Sequence, residues 1–522
     1  MPTLNWIGKD KVVNHHLDVP MRTLEKQYTF ASEGHQDDGN MIIHGDNLDA
    51  LKALIPQYEG RVKCIYIDPP YNTGNEKWVY NDNVNDPHIR AWLGKVVGAE
   101  GEDLSRHDKW LCMMYPRLKL LQKLMAEDGV IFISIDDTEY ANLKLICDEI
   151  FGINNHIETI VWQKRTSPDA RRKISSGHEY IIIYSKSPEI ATTFNLLTLD
   201  GADSEKFRNP DNDPRGPWVS SDFTAQGYRP NQMYEIVTPS GQTMLPPEGR
   251  CWRHLKSVYD ELLNEGRLWF GSDGNGVPRK KTYLAEKEGN GVWTWWTNNE
   301  VGHTQEATQE TAAILGKSVF DYPKPVRLIS RIIKLSSNPN DIILDSFAGS
   351  GTTAHAVLNM NKQDGGHRRF ILVEMGDYAE SITAERVRRV ISGYGEGKKA
   401  VPGTGGGFSF YELGEALLID GMLNPNVSED KIRAYVYYTE TRSPLLAPSG
   451  EEKHLLGVHE GHAYYFYYEA DRLTTLNREF LRTIQTPAEG YLIYADVNAL
   501  SAEEMERFHI TFKKIPRDIA RL

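Results

Sequence analysis

The sequence predicts an α/β protein built on a doubly wound sheet of mostly parallel strands. Two observations support this fold class: short apolar runs alternate with amphipathic stretches, and each run ends in or near an acidic residue. Near-continuous apolar strands followed by helices are typical of parallel sheets that helices cover on both faces. Ligands of such folds bind at the carboxyl ends of the strands, so the acidic residues mark the expected site.

The strand-like runs come in two blocks. The first block has "NMIIHGD", which ends at Asp46, "KCIYIDPPY", which contains Asp68, and "GVIFISIDD". The second has "DIILDSFAGSG", with Asp345, and "RFILVEM", with Glu374. The helix-like stretches after them are "NLDALKAL", "KWLCMMYPRLKLLQKLM", "TEYANLKLICDEIF", "TTAHAVLNMN" and "AERVRRVI". Each strand is therefore expected to be followed by a helix.

The composition is that of an ordinary folded protein with more than one domain. The 522 residues exceed what one core supports, and 40% hydrophobic with 25% charged residues is usual for globular chains. No apolar stretch approaches membrane-spanning length, so we expect no membrane association. The four cysteines are scattered and form no CxxC pair, which disfavours disulfides and a cysteine zinc site and fits the cytoplasm.

Changes in composition divide the chain into segments. The stretch between the two blocks is rich in Gly, Pro, Asn and Trp, and "YGEGKKAVPGTGGGF" is typical of a flexible linker. Strand-like "HAYYFYYEA" and "GYLIYADV" follow it. The predicted segments are an N-terminal arm (1–38), a first part of the α/β domain (39–164), an inserted domain (165–315), the second part (316–396), a linker (397–407) and a small C-terminal α+β domain (408–522).

One phrase, "DSFAGSGTTAHAVL", has the pattern of a ligand-binding turn. A strand, a Gly-Ser-Gly turn and a helix start would leave backbone N–H groups and a positive dipole end free for a ligand. Glu374, 23 residues after Gly351, ends the next strand, where an acidic residue accepts ribose hydroxyls in dinucleotide folds. The phrase is neither a Walker A loop nor GxGxxG. A tight turn without a ligand is the alternative interpretation.

A second phrase, "CIYIDPPYNTG", ends a strand in two prolines and a tyrosine. Asp68 could simply start a turn, and Tyr71 could be an ordinary core residue. Together with the glycine-rich turn, however, the phrase indicates a pocket for a planar substrate that carries an amino group. The Asp68 carboxylate and the Pro70 carbonyl can accept its N–H groups, and the Tyr71 ring can stack on a base taken out of a duplex.

The two phrases together resemble the amino-methyltransferases of DNA. DPPY before FAGSGTT is the order of their β, circularly permuted class, which has a Rossmann-like sheet. The chain is similar to the modification (Mod) subunit of type III restriction–modification systems through "NWIGKDKVVNHH", "YIDPPYNTGN", "GHEYIIIYSK", "RLWFGSDGNGVPRKKTYL", "VGHTQEA", "DYPKPVRLI" and "RRFILVEM". The resemblance implies a strand order 3-2-1-4-5, with "MIIHGD" as strand 3, DPPY after strand 4 and "DIILD" as strand 1.

The resemblance also implies S-adenosylmethionine as the cofactor. Its methionine part would lie against the loop residues Asp345, Phe347, Ala348, Gly349, Ser350, Gly351, Thr352 and Thr353. Glu374 would hold the ribose, and Lys324 and Pro325 would close over the methionine end. Asp46 would contact the adenosine, and a cap for the "NLDALKAL" helix is the equally weighted alternative.

The implied reaction is transfer of a methyl group to N6 of a flipped-out adenine, with Asp68, Pro69, Pro70 and Tyr71 as the catalytic motif. An aryl amine is a weak nucleophile because its lone pair is delocalised, whereas a methyl sulfonium is already activated. Positioning and acceptance of the growing positive charge should therefore suffice, and no metal is expected. The cytosine-N4 enzymes more often begin this motif with Ser, which favours adenine.

DNA contacts are expected in the inserted domain. The formal net charge of −13 argues weakly against indiscriminate polyanion binding, but basic residues are clustered locally. The candidate phosphate contacts are Lys164, Arg165, Arg171, Arg172, Lys173, Arg279, Lys280 and Lys281. A solvated run of charges is the alternative for the first cluster. For Trp293, Trp295 and Trp296 we favour core packing over stacking on bases.

The expected partners are double-stranded DNA, a second copy of the chain and a helicase–nuclease restriction subunit. The sequence itself contains no Walker A and no nuclease motif. Two alternatives remain: a methyltransferase that works without a restriction subunit, and a DNA-recognition module whose methylation is weak. The intact DPPY and FAGSGTT phrases disfavour the second alternative.

Overall fold

The fold was analysed in a computed structural model of the chain. The residues that it describes are 3–73, 106–189, 194–197, 205–287, 289–316, 319–445 and 452–519. They form two compact units. The larger unit consists of Met1–Asn195 with Thr294–Leu522, and the smaller consists of Leu196–Trp293.

A single mixed sheet of ten strands organises the larger unit. Its strands are β1 (Arg22–Ala31), β2 (Met41–His44), β3 (Val62–Ile67), β4 (Met125–Ile135), β5 (His156–Gln163), β6 (His178–Ser185), β7 (Trp295–Trp296), β8 (Ile342–Asp345), β9 (Arg369–Glu374) and β10 (Gly407–Ala416). Their spatial order is β1-β10-β2-β9-β8-β3-β4-β6-β5-β7.

The larger unit also contains helices. The longer ones are α1 (Asn47–Tyr58), α2 (Arg106–Leu124), α3 (Tyr140–Phe151), α4 (Thr304–Leu315), α5 (Val326–Ser336), α6 (Thr352–Asp364), α7 (Glu385–Ser392) and α8 (Glu429–Thr441). Shorter helices are Lys9–Val12, His15–Asp18, Asn298–Val301, Ala379–Ala384, Arg478–Leu481 and Ala502–Arg507. Within the described residues, no helix combines the length and the apolar character that crossing a membrane requires.

The central part of the sheet confirms the predicted fold class. Strands β2, β9, β8, β3 and β4 are neighbours in that order and all run parallel, which is the order 3-2-1-4-5. The side chains of β8 are buried along its whole length, and those of β3 nearly so. The predicted helices after these strands are present as α1, α2, α3, α6 and α7. Burial on both faces explains why these strands are apolar throughout rather than alternating.

The two ends of the chain extend the sheet, which differs from the predicted segments. The residues assigned to an arm contain β1, and β10 begins inside the predicted linker at Gly407. Strand β10 pairs parallel with β2 and antiparallel with β1. The alternating run "GFSFYELGEA" needs a sheet edge to satisfy its backbone groups, and β2 would otherwise be an open edge.

The inserted domain was also predicted to be longer than the smaller unit is. Residues 165–315 were expected to be separate, yet β6 and β7 belong to the ten-stranded sheet. Strand β6 runs antiparallel to β4, with Ile135 opposite Tyr180. An apolar strand such as "HEYIIIYS" gains more by completing the central sheet than by joining a loop-rich domain.

The smaller unit has its own core. It contains a three-stranded sheet in the order Leu268–Trp269, Arg279–Tyr283, Trp218–Asp222. Two-residue and three-residue strand pairs are Thr224–Gln226 with Arg250–Trp252 and Ile236–Val237 with Thr243–Met244, and one helix is Lys256–Asn264. The core residues are Phe223, Ile236, Trp252, Tyr259, Leu262, Leu268 and Phe270.

The C-terminal residues form a small α+β arrangement, as predicted. Strands β11 (Leu455–His459), β12 (His462–Phe466), β13 (Gly490–Ala495) and β14 (Ile510–Lys514) lie in that order in one sheet. The first pair is antiparallel and the other two are parallel. Helix α8 shares one apolar core with the ten-stranded sheet, so this region is continuous with the larger unit.

The β10 contact can be tested at Gly45, which follows β2. Gly45 has a φ of 145°, and an added Cβ would lie 2.3 Å from Leu413 Cδ1 of β10. Gly45→Ala should therefore lower the free energy of unfolding by about 2–3 kcal/mol, measured in urea. Leu413→Ala in the same chain should recover part of that loss. Gly34→Ala is the control, because its added Cβ would meet nothing within 4 Å; equal losses at both glycines would contradict the packing of β10 on β2.

Candidate active site

A cavity of about 320 Å³ opens at the carboxyl edge of the parallel strands. It lies where β3 and β8 meet, and its walls also include the segment 320–324 before α5. This volume is in the range of small-molecule sites. The location agrees with the expectation that ligands of such sheets bind where the strand order reverses.

The pairing of β8 with β3 brings the two sequence phrases to one place. Ile343 lies opposite Cys64 and Leu344 opposite Ile65. The predicted catalytic and cofactor residues that line the cavity are Asp68, Pro69, Tyr71, Lys324, Asp345, Phe347, Ala348, Gly349, Ser350, Thr352 and Thr353. Pro70, Gly351, Glu374, Pro325 and Asp46 do not line it.

Asp68 accepts hydrogen bonds on both carboxylate oxygens. The Tyr71 hydroxyl donates to Oδ1 at 2.8 Å, and the Lys324 ammonium donates to Oδ2 at 2.5 Å. Lys324 Nζ also lies 5.1 Å from the centre of the Tyr71 ring. The first residues of DPPY and the lysine of "DYPKP" are thus held together by a charged contact across the cavity.

Glu179 is part of this cluster, and the sequence analysis missed it. Its carboxylate accepts from Lys164 at 2.9 Å, and it lies 3.1 Å from the Tyr71 hydroxyl and 3.7 Å from Lys324. Acidic residues were expected at the carboxyl ends of parallel strands. Glu179 is at the amino end of β6, and because β6 is antiparallel, that end reaches the same edge. An acid inside the apolar run "GHEYIIIYSK" was the available signal.

The two carboxylates differ in acidity. Burial raises the pKa of Asp68, and the Lys324 ammonium only partly offsets this. Burial acts in the same direction on Glu179, but Lys324 and Lys164 outweigh it and leave its pKa below the ordinary value. Burial thus disfavours the ionised form of Asp68, whereas the two lysines favour the ionised form of Glu179.

The Pro70 carbonyl already has a buried donor. Trp110 Nε1 in α2 donates to Pro70 O at 2.7 Å, and both residues are buried. Pro69, by contrast, lines the cavity. The indole therefore anchors the second proline to the helix behind it. The role of Pro70 as an acceptor for a substrate amine stays a prediction.

The turn after Tyr71 is held by a buried carboxylate. Asn72 has a φ of 60° and is fully buried, and its amide donates to Glu139 Oε1 at 2.5 Å and to the Arg106 carbonyl at 3.1 Å. Glu139 is also fully buried, and it contacts His107 Nδ1 at 2.7 Å. Asn tolerates the left-handed conformation better than most residues, and these bonds stabilise it. Glu139 thereby fixes the exit of the DPPY segment.

Asp345 and Glu374 shape the glycine-rich turn. Asp345 accepts from the Phe347 N–H at 3.0 Å and from the Thr353 hydroxyl at 2.6 Å. Glu374 accepts from the N–H groups of Gly349 at 2.7 Å and Gly376 at 2.9 Å. Burial raises the pKa of both, that of Asp345 to about 7. The ribose contact of Glu374 stays a prediction, because in this structure its carboxylate holds the loop.

Close packing explains the glycine at 349. Its φ is 50°, and an added Cβ would lie 3.0 Å from Phe320 Cζ. Phe320 also contacts Tyr378 edge-on, with ring centroids 5.6 Å apart. Tyr322, two residues later, lines the cavity with a φ of 53° and a half-exposed ring. The segment 320–324 thus supplies aromatic side chains to the wall of the cavity.

Asp46 lies elsewhere and has a structural role. Its side chain accepts from the Leu48 N–H at 2.8 Å, which caps α1, and Arg117 lies 3.2 Å from its carboxylate. The capping interpretation is therefore correct in this structure, and the adenosine contact stays a prediction. Pro325 precedes α5 as its N-cap, and Gly351 precedes α6 with a φ of 80°.

The basic residues of the first predicted cluster divide between the cavity and the surface. Lys164 and Arg165 line the cavity, and Lys164 forms an ion pair with Glu179 at 2.9 Å. Arg171, Arg172 and Lys173 are exposed. Arg171 forms two hydrogen bonds with the Asp169 carboxylate, both at 2.9 Å. Only this loop presents several of the candidate phosphate contacts to solvent together.

In the smaller unit, Arg279 is exposed and Lys280 is partly buried, but Lys281 is not available to DNA. Its ammonium is buried and contacts the carboxylates of Asp211 and Asp213, the latter at 2.8 Å. Alternation along the strand Arg279–Tyr283 turns it into the core, so its assignment as a phosphate contact is wrong.

The tryptophans differ from the expected core packing. Trp296 is fully buried, as predicted, but Trp293 is 86% exposed and Trp295 is 54% exposed. The alternation of strand β7 accounts for the difference between Trp295 and Trp296.

The fold and the cavity define an α/β protein with a doubly wound sheet, in which an aspartate and a tyrosine lie beside a glycine-rich turn. The sequence matches the family described as DNA methylase over residues 62–385. The chain belongs to this DNA methylase family. It is similar to the StyLTI Mod subunit of a type III restriction–modification enzyme from Salmonella typhimurium, with 36% identity over 71% of this chain and 57% of that one.

Other relatives are similar over the same region. The EcoP15I Mod subunit of Escherichia coli is 31% identical over 72% of this chain and 64% of that protein. The chain thus spans less than two thirds of the length of these Mod subunits. Among solved structures, TTHA0409 from Thermus thermophilus complexed with S-adenosyl-L-methionine is 16% identical, with a TM-score of 0.31 over 72% of this chain and 99% of that one.

The raised pKa of Asp345 has a consequence for stability. Between pH 4 and 7 the folded chain holds a proton that the unfolded carboxyl, with its ordinary pKa of 3.8, has released. This carboxyl therefore makes the free energy of unfolding fall as the pH rises from about 4 to about 7, and adds no slope above 7.

Asp345→Asn should remove that dependence. In urea titrations between pH 5 and 7, the wild type should lose up to about 1.4 kcal/mol per pH unit relative to the variant. Asp128→Asn, at an exposed carboxylate of β4, is the control for the loss of one charge. Parallel pH profiles for wild type and Asp345→Asn would show that the buried carboxyl is not protonated in the fold.

Proposed function

We propose that this protein transfers a methyl group from S-adenosylmethionine to N6 of an adenine that is flipped out of double-stranded DNA. The observation that carries the proposal is the junction of the DPPY segment with the FAGSGTT turn in one cavity. A planar amine acceptor and a nucleoside donor would meet there. Base flipping is required because an adenine inside a duplex cannot reach such a cavity.

The residues around Asp68 suit an adenine amino group. The Asp68 carboxylate has two oxygens at the cavity, and each can accept a further N–H beyond Tyr71 and Lys324. We assign the second acceptor to the Pro69 carbonyl, because Pro69 lines the cavity and Pro70, whose carbonyl accepts from the Trp110 indole, does not. Two acceptors aimed at one nitrogen favour its pyramidal form and stabilise the charge that develops on it during transfer.

Tyr71 would support the base from one face. Its hydroxyl is held by Asp68 and Glu179, so the ring orientation is set before a substrate arrives. A fixed aromatic ring loses little entropy when a base stacks on it, and stacking of this kind is worth about 1–3 kcal/mol per base. Glu179 is in this view a positioning residue that acts through Tyr71 and Lys324.

The glycine-rich side of the cavity fits the cofactor. Gly349 brings the backbone against Phe320, Ser350 and Thr352 carry hydroxyls, and α6 begins at Thr352 with its positive dipole end toward the cavity. When bound, S-adenosylmethionine supplies the activated methyl group. The chain's own contribution is to hold both reactants in line and to exclude water.

The wider context is part of the same proposal. The similarity to Mod subunits favours a modification and recognition subunit that works with a helicase–nuclease partner and as a homodimer in the cytoplasm. Recognition would lie in the inserted unit. A methyltransferase that works without a restriction partner is the second candidate. Its site would have the same geometry as that of a modification subunit.

Asp68→Ala should reduce methyl transfer by at least about 10³-fold, because both the acceptor and its charge are lost. Cofactor affinity, measured by calorimetry, should change far less. Asp128→Ala is the matched control at an exposed aspartate. Transfer is followed with tritiated cofactor, and sequencing that detects modified bases reports the target. Unchanged transfer in Asp68→Ala, or label found on cytosine in the wild type, would refute the proposed reaction.

The exposed loop after Arg165 should contact DNA phosphates. Arg172→Ala and Lys173→Ala should each lower the slope of log K against log salt by about 1 without altering sequence preference. Lys281→Ala should leave that slope unchanged but destabilise the smaller unit by about 1–3 kcal/mol, because Asp211 and Asp213 would lose a buried cation while Arg215 still pairs with Asp213. If the salt slope changed in Lys281→Ala and not in the loop variants, the assignment of the phosphate contacts to the loop would be wrong.

A further inference from the structure

A fully buried guanidinium lies directly behind the cavity. Arg386, near the start of α7, donates from Nη1 to Ser350 Oγ at 2.8 Å and to Thr352 Oγ1 at 2.9 Å. Both hydroxyl residues line the cavity. A positive charge is therefore separated from the ligand space by one layer of hydroxyl groups.

In the part of the chain that the structure describes, no carboxylate lies within ion-pair distance of this charge, although Glu310 is close enough to act on its pKa. No ion pair within 4.0 Å involves Arg386 there, and its Nε is a buried atom without a hydrogen-bond partner. Burial lowers the pKa of Arg386 to about 10, while Glu310 acts in the opposite direction, so the side chain stays charged at neutral pH. Burying a charge without an ion-pair partner costs free energy, and a bound anion would lower that cost.

The neighbouring basic residues of the same helix behave differently. Arg389 is paired with Glu385 at 2.7 Å and is 41% exposed, and Arg388 contacts both Glu380 and Glu385. Their charges are matched at the surface. Arg386 thus stands apart because its charge is buried and directed at the cavity.

The direction of the hydroxyl hydrogens follows from the chemistry of arginine. A guanidinium can only donate, so Ser350 and Thr352 accept from it and must turn their own hydrogens elsewhere. Their oxygens are 3.3 Å apart, so at most one of them donates to the other. At least one hydroxyl hydrogen is then left for a ligand, next to the first N–H groups of α6.

We propose that Arg386 is a positioning residue that makes this end of the cavity select a carboxylate, namely that of the methionine part of the cofactor. It polarises Ser350 and Thr352 as donors and supplies the compensating positive charge. The inference rests on the proposed function, because it takes S-adenosylmethionine as the ligand. The cations that line the cavity are Lys324, Lys164 and Arg165. Asp68 at 2.5 Å and Glu179 at 3.7 Å already neutralise Lys324, Glu179 pairs with Lys164 at 2.9 Å, and Arg165 is exposed to solvent.

The test compares two ligands that differ only in this group. S-adenosylmethionine and its decarboxylated form share the sulfonium, the ammonium and the adenosine. Calorimetry on the wild type should give about 10- to 100-fold tighter binding of the carboxylated ligand, the range expected for charge-assisted hydrogen bonds. In Arg386→Met the ratio should fall to about threefold or less, with binding of the decarboxylated ligand retained. Arg389→Met is the matched control and should keep the wild-type ratio.

A structural role alone predicts a different result. If Arg386→Met weakened both ligands by the same factor, the proposal would be overturned. If that variant does not fold, as judged by circular dichroism, Ser350→Ala with Thr352→Val gives the answer, because Arg386 stays buried while the donors are lost. A wild-type ratio in this double variant would also overturn the proposal.

The same titrations separate this inference from the proposed function. Absence of any binding of S-adenosylmethionine to the wild type would refute the cofactor assignment itself. Tight binding of both ligands by the wild type, without discrimination, would refute only the role of Arg386.

Discussion

The parallel pairing of β8 with β3 is the contact on which the site depends. Asp345 and Asp68 are 277 residues apart (345 − 68), yet both leave the sheet at one edge because their strands are adjacent and run in the same direction. The apolar side chains of the two strands are buried, so their burial at about 25 cal/mol per Å² holds the junction. The polar residues at the ends of the two strands are thereby placed at the cavity.

A balanced set of charges then occupies the junction. Asp68 and Glu179 face Lys324 and Lys164, and Tyr71 is held between the two carboxylates. Each ion offsets the desolvation of its neighbours, so removing one leaves the others uncompensated. The stability of the site therefore depends on the ionisation of these four side chains. It also orients the tyrosine ring without any ligand.

Segments outside the parallel core complete both edges of the sheet. On one side, β10 and β1 cover β2, which would otherwise expose unpaired backbone groups. On the other side, β6 runs antiparallel and carries Glu179 to the cavity from its amino end. Strands added outside the parallel core thus protect one edge of the sheet and supply a site residue at the other. Helix α7 contributes in a similar way, since it packs a cation behind the glycine-rich turn.

The sequence by itself determined the central architecture and most of the cavity wall. Apolar runs that end in acids predicted β2, β3, β4, β8 and β9, and the resemblance supplied their order. Local chemistry also identified the FAGSGTT turn, because glycine and small residues are needed wherever a backbone must approach a ligand closely. These features are readable because periodicity and turn chemistry depend on neighbours in the chain.

Only the tertiary structure decided which polar groups meet. The Pro70 carbonyl accepts a hydrogen bond from the Trp110 indole, and Lys281 is buried between two aspartates. Asp46 caps a helix, and Glu179 lines the cavity. Nothing in the local pattern distinguishes these residues from their neighbours of the same type. Their partners lie on distant segments, and the free energy of a buried charge or carbonyl depends on those partners rather than on the residues beside it in sequence.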